Sequence, residues 1–568
     1  MRSRLFFLLV AGLLAASATP RAQQPTLEEI ISRVNQAEGT LITNMRNFRP
    51  LVEVYIQNLT PDDQLGMVPI QDTYILGRFD WKAGPRLEAL SGVKGTARPP
   101  IGALKSSDLE YIPDGFAAMA SPDWDLLNLA RYEFKLVRRE FVGEARTYVI
   151  DVKPLKDLND GFAGRIWVED RGYNIIRFNG INRRIERALF RRKLSFHVDS
   201  WRTNVLPGLW LPSYAYCEES ELKEAGLVGK KTRFKSYVRM WGYDPQKAQG
   251  NDQFTSIEIA EPSVRDSAGP DGQLSPVLSQ RRWEDEAEAN VLDRLLKGQL
   301  LATPGDVEKV LETVLTNLQV TNDITLDREV GARVLLTSPL ESFTVGHTIV
   351  LSRGLIDVLP DEASLAMMLA HELAHIVLGH ALIDTQFSFA DRMMVSDADL
   401  LRTLSVRRNA KEETEADAKV VEMLKNSPYK DKLADAGLFL RMLAVRAKQL
   451  PNLIQPHIGD HIAADGQMMR LTELMQQSPE LSLERLDQVA ALSLGARLVL
   501  DPWTTRLELL RTATKPTSIR EKVPLAVTPL TPYVKYAQIA ADTVPAATPV
   551  AVPVEPAISQ PAVAQAPK

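Results

Sequence analysis

The chain has 568 residues, 45% hydrophobic and 24% charged, a globular composition with room for several domains. Its formal net charge of −5 does not suggest a nucleic-acid binder, whose usual footprint is a strongly basic face. A single cysteine, Cys217, excludes an internal disulfide and a cysteine-rich zinc cage, so any metal site must be built from histidine and carboxylate.

The first 22 residues read as a signal peptide. Arg2 and Arg4 precede an apolar run from Leu5 to Leu14, and the small residues Ala16, Ser17 and Ala18 follow. That run is shorter than the roughly 20 residues a membrane span needs, and no later run is long and uncharged enough to cross. Export is predicted, to the periplasm of a bacterial envelope or beyond the cell. Residues 25–50 read as helix, with Leu27, Ile30, Ile31 and Val34 at helical spacing.

From 51 to 265 short runs rich in Val, Ile, Tyr, Phe and Trp alternate with Gly, Pro, Asp and Asn, the pattern of an antiparallel β domain. "WVEDRGYNIIRF" predicts a hairpin turning at Asp170-Arg171-Gly172. "GFAGRIWVEDRGYNIIRFNG" and "LSFHVDSWRTNVLPGLWLPSYAYCEES" resemble the curved sheet of LolA-like lipoprotein carriers. That resemblance implies a surface for an acyl chain or an extended peptide, with edge strands open to an unfolded client. The basic cluster at 182–193 reads as a solvated face.

Residues 266–280 read as a linker, 281–480 as a mainly helical domain with a strand-like island, and 481–523 as a helical extension. From 524 the Pro/Ala-rich tail reads as disordered. The predicted fold class is α+β: a curved antiparallel sheet, then a helical peptidase-like domain, then the tail.

The chemistry lies in "AHELAHIVLGH". His371 and His375, four apart on a helix, can aim their rings at one metal, with Glu372 beside them placed to hold a water rather than the ion. The flanking residues are apolar, and burying two histidines and a glutamate without partners would be expensive. His380 comes five residues after His375; on a continuing helix it faces away from His371, which leaves it a supporting or packing role and not that of a ligand. A third ligand should come from "RRNAKEETEADAKVVEML", where Glu413 and Asp417 share a face while Glu415 points elsewhere. One carboxylate can ligate there while the other orients a ligating histidine.

"VLSRGLIDVLPDEASLAMMLAHELAHIVLGHA" followed by "EETEADAKVVEML" resembles the M48 family of zinc metallopeptidases, gluzincins that include the CAAX prenyl proteases, HtpX and BepA. The resemblance implies one zinc ion held by His371, His375 and Glu413, with Glu372 as general base and Asp417 beside the ligands. Two departures stand out. Ser342 and Phe343 occupy the place of an expected Asn-Ala pair, and the family's active-site His and Arg, six apart, find only His461 and Arg470, nine apart, as candidates for oxyanion stabilisation. The predicted activity is an exported zinc endopeptidase acting on protein or peptide substrates in envelope quality control. The alternatives are a chaperone or scaffold with a latched zinc site, and a lipid carrier with a peptidase appended.

Overall fold

The computed structural model describes residues 25–63, 66–82, 86–91, 130–155, 161–186, 192–219, 233–244, 276–380, 408–454, 462–464, 467–482, 498–501, 505–509, 525, 527 and 534–536. The predicted signal peptide and His461 lie outside these residues. The architecture is α+β: a large antiparallel sheet followed by a mainly helical half.

Helix α1 (Leu27–Met45) starts on a capping box in which the Thr26 hydroxyl accepts from the Glu29 amide and the Glu29 carboxylate accepts from the Thr26 amide. Its apolar stripe, Ile30, Ile31, Val34, Leu41 and Met45, is buried against the sheet. Burial of each such side chain stabilises by about 1.5–3 kcal/mol. The sheet has ten strands: β1 (Leu51–Asp62), β2 (Gly66–Asp80), β3 (Arg86–Ser91), β4 (Tyr132–Val142), β5 (Ala145–Pro154), β6 (Gly161–Glu169), β7 (Ile175–Glu186), β8 (Arg192–Leu206), β9 (Leu209–Glu219) and β10 (Arg233–Trp241). Their spatial order is β3-β2-β1-β10-β9-β8-β7-β6-β5-β4, so β4 to β10 form a meander that β1 closes onto. The β6–β7 hairpin turns where the sequence predicts, and the Glu169 carboxylate accepts from the amides of Arg171 and Gly172. The ends of the basic cluster are paired strand, Glu186 opposite Arg192.

Strand β1 is buried without interruption from Leu51 to Gln57, which alternation toward solvent would not give. Val52, Val54 and Ile56 face α1. Leu51 and Tyr55 face the other way and join a core that runs on through the helical half. The polar residues on that second face find their partners there. Glu53 pairs with Arg239 at 2.6 Å and accepts from the Ser338 amide (2.6 Å) and hydroxyl (2.8 Å). Asp72 accepts from the amides of Asn452 and Leu453 at 3.0 and 2.8 Å.

Two predicted boundaries shift. Helix α2 (Pro276–Lys297) begins inside the expected linker, because proline suits the first turn of a helix. Within the expected helical extension, Leu498–Asp501 and Arg506–Leu509 pair as an antiparallel hairpin; "LVLDPWTTRLEL" alternates about a turn instead of following a helical period. The tail expected to be disordered from 524 is packed at its start. Leu525, Val527 and Val534 are buried, and the Gln57 side chain donates to the Leu525 carbonyl and accepts from the Val527 amide.

The helical half continues with α3 (Asp306–Thr321) and a small sheet of β11 (Gly331–Leu335), β12 (Ser342–Val345) and β13 (Thr348–Ser352) in the order β11-β13-β12, which leaves β12 at an edge. Helix α4 (Arg353–Val358) follows; a Cβ on Gly354 would lie 1.8 Å from the Ser338 carbonyl oxygen, so only glycine fits this close approach. Then come α5 (Glu362–Val377), α6 (Ala410–Lys425), α7 (Leu433–Arg446), α8 (Pro451–Ile454) and α9 (Thr472–Gln477). Asp361 caps α5 by accepting from the Ser364 amide, and α5 is buried on nearly every side between α3, α6, α7 and the small sheet. No helix among the described residues is long and apolar enough to cross a membrane.

Candidate metal centre

Helix α5 carries His371, Glu372 and His375, all at most 1% exposed. Helix α6 begins at the Asn409 cap, whose side chain accepts from the amides of Lys411 and Glu412, and this start sets Glu413 in the first turn facing α5. The two imidazoles bring their Nε2 atoms to 3.2 Å from each other. Glu413 reaches His371 Nε2 with Oε2 at 3.2 Å and His375 Nε2 with Oε1 at 3.6 Å. Tetrahedral zinc with bonds of about 2.0–2.1 Å sets its donors about 3.3 Å apart. The group His371, His375 and Glu413 fits that spacing and could hold a metal ion.

The outer nitrogens of both rings also face polar groups. Asp417 Oδ1 lies 3.3 Å from His371 Nδ1, while its Oδ2 accepts from the Leu471 amide at 2.7 Å. His375 Nδ1 lies 3.0 Å from His380 Nδ1, and His380 Nε2 lies 3.2 Å from Glu415 Oε2. Such contacts fix ring orientation and tautomer. His380 departs from its predicted placement. The helix stops at Val377, Gly379 takes φ +69°, and the His380 amide donates back to the His375 carbonyl at 2.9 Å. This left-handed cap swings the His380 ring back onto His375 instead of away from it. Glu415 is not among the three grouped ligands, and it reaches the pair only through the His380 ring.

Protonation divides the pair. Burial disfavours a charged imidazole at His371, but the Asp417 and Glu413 carboxylates overcome it and hold the pKa up to about 9. At His375, burial and then the positive charges of His371, Arg408 and Arg470 push the pKa far below the histidine range. Without a metal the site keeps its proton on His371 and leaves His375 neutral.

Of the two oxyanion candidates, His461 lies outside the described residues. Arg470 is buried in the site, but its Nη1 donates to Glu372 Oε1 at 3.0 Å, so the structure brings it to the carboxylate between the histidines. Ser342, at the start of edge strand β12, donates to the same Oε1 at 2.7 Å. Sequence reasoning noticed Ser342 only as a departure from an expected pair. It missed Arg408, which donates to the His380 carbonyl and to the Thr344 hydroxyl and so ties α5, α6 and β12 together. No local pattern marks Arg408; it simply precedes the Asn409 cap.

Residues 306–457 match the family model described as Peptidase family M48. No curated protein matches the chain. Among solved structures, the chain is similar to a LolA superfamily protein from Nitrosomonas europaea, with 13% identity over 39% of this chain and 96% of that one and a TM-score of 0.16. It is also similar to a putative outer membrane lipoprotein-sorting protein domain from Vibrio parahaemolyticus, with 8% identity over 39% and 98% and a TM-score of 0.18. A DUF1329 family protein from Desulfovibrio piger shows 10% identity over 37% and 92%, with a TM-score of 0.16. Scores of this size carry no inference about what the sheet binds.

Proposed function

We propose, from the peptidase family M48 domain that the chain carries at residues 306–457, that this protein is a zinc-dependent endopeptidase acting on envelope proteins after export. The observation that carries the reading is the convergence of His371, His375 and Glu413 on one point, with Glu372 buried beside it. The predicted leader supports the location.

His371, His375 and Glu413 would hold a zinc ion, which when bound would supply Lewis acidity toward a water and the scissile carbonyl. Glu372 takes the proton as the water oxygen forms its bond to the carbonyl carbon. It then returns that proton to the departing amine as the C–N bond breaks. His380 and Asp417 face the outer nitrogens of His375 and His371 and would keep both rings turned toward Glu413.

The test pairs metal content with casein hydrolysis, with and without a chelator, for the wild type and Glu372→Gln. Both proteins should hold about one zinc per chain, and the variant should lose about 10²- to 10⁴-fold in turnover, the usual contribution of a general base. A wild type without zinc, or one whose hydrolysis survives chelation, overturns the reading.

A further inference from the structure

Two side chains from distant parts of the chain converge on one oxygen of Glu372. Ser342 Oγ donates to Oε1 at 2.7 Å, Arg470 Nη1 donates to it at 3.0 Å, and Arg470 Nη2 donates to Ser342 Oγ at 3.4 Å. All three residues are at most 1% exposed. We propose that Ser342 and Arg470 are positioning residues that hold Glu372 in one rotamer with Oε1 occupied, so that proton transfer falls to Oε2. This rests on the peptidase reading for its catalytic meaning, though the clamp is a property of the folded chain.

Three observations support an arrangement built for aim. First, Arg470 sits on a segment with a strained neighbour: Leu471 is left-handed at φ +58°, a conformation a branched residue keeps only when its surroundings enforce it. Second, the enforcing contact comes from the site. The Leu471 amide donates to Asp417, and Asp417 also faces His371, so one carboxylate orients a ligand ring and locates the arginine. Third, Ser342 opens β12, whose neighbour Thr344 bonds Arg408. The strand that borders the centre is thereby fixed to Glu372 at one point and to the start of α6 at another.

A buried carboxylate held by two donors on one oxygen loses rotational freedom that proton transfer would otherwise have to overcome. Hydrogen bonds to charged groups contribute about 1.5–3 kcal/mol, a factor of about ten to a hundred in rate if that much of the aim is lost. The arginine here therefore serves the base, whereas an oxyanion role would leave its guanidinium free to meet the substrate.

The test uses the full chain with Ser342→Ala, Arg470→Lys and Arg470→Ala, each scored for zinc content, kcat, KM and Tm. Ser342→Ala should keep its zinc and its KM while kcat falls about ten- to a hundred-fold. Arg470→Lys should retain more kcat than Arg470→Ala. Tm is then measured for Arg470→Ala alone and combined with Glu372→Gln. Arg470→Ala strands a buried charge in the first case and not in the second, so it should lower Tm clearly in the wild-type background and little in the Glu372→Gln background. Full kcat in Ser342→Ala, or an equal Tm loss in both backgrounds, overturns the clamp. Should Arg470→Ala not fold, the Ser342→Ala kcat decides. The Tm cycle can be read on metal-free protein, so failure of the peptidase reading and failure of the clamp show up in different measurements.

Discussion

Loading the centre with zinc should expel a proton, and that competition sets a measurable pH dependence. His371 holds its proton up to about pH 9 in the metal-free chain, and a ligating imidazole must be neutral. At pH 7 the ion displaces a proton from a group about two units below its pKa, which weakens binding by about 3 kcal/mol, roughly a hundredfold, relative to alkaline solution. Between pH 6.5 and pH 8.5 the apparent zinc affinity should therefore rise by about tenfold per pH unit. His375 adds no second proton, because burial and neighbouring positive charge already keep it neutral. Competition titrations against a chelator of known affinity give the slope, and calorimetry in two buffers of different ionisation heat counts the protons. A flat affinity over this range, or two protons released, would refute the assignment of the proton to His371. Asp417→Asn removes a carboxylate that supports this proton, so the slope should flatten. At alkaline pH the same variant should bind zinc about 10- to 100-fold more weakly, because the ring has lost its orienting partner.

Arg239→Met leaves Glu53 buried without its arginine, and breaking a buried pair in this way should lower urea-measured stability by about 3–5 kcal/mol; a loss under about 1 kcal/mol would show that the Ser338 bonds suffice. Gly379→Ala forces a left-handed alanine at a strain of about 1–2 kcal/mol, and it should lower Tm and weaken zinc binding together by moving His380 off His375. Asp72 gives a pH signature for the seam between the halves. Burial raises its pKa from 3.8 to about 6 against the hydrogen bonds from Asn452 and Leu453. The folded state therefore binds the proton more tightly than the unfolded chain does. The contribution of Asp72 to stability should be fully present below pH 4 and fall by about 3 kcal/mol as pH rises through 6, read as the wild-type minus Asp72→Asn difference in urea melts.

The metal centre was legible wherever its logic is local. Two histidines four apart and two carboxylates four apart each describe one face of one helix, and helical geometry alone brings such residues together. The return of His380 was nearly legible: glycine followed by a turn is a common helix ending, and a continuing helix was the wrong extrapolation past Gly379. Arg470 and Ser342 were not, because they reach Glu372 from 98 and 30 residues away and no periodicity links them. The second face of the sheet was hidden for a related reason. In "LVEVYIQNL" the polar Glu53 and Gln57 alternate with apolar residues and look solvent-facing. Both are fully buried, with partners supplied from residues 338 and 525–527.

That seam gives the sheet a physical bearing on the chemistry. Arg239 donates to the Leu336 carbonyl, Glu53 accepts from Ser338, the Gly354 amide donates to the Thr337 carbonyl, and the Leu340 amide donates to the Leu453 carbonyl. The segment from 336 to 340 is thus held from both halves, and it runs directly into Ser342 and the edge strand. A shift at Glu53 would be passed along four residues of backbone to the hydroxyl that grips Glu372. The two halves thus share buried hydrogen bonds immediately before Ser342. Substitutions in the sheet beside Glu53 should be read for turnover as well as for stability.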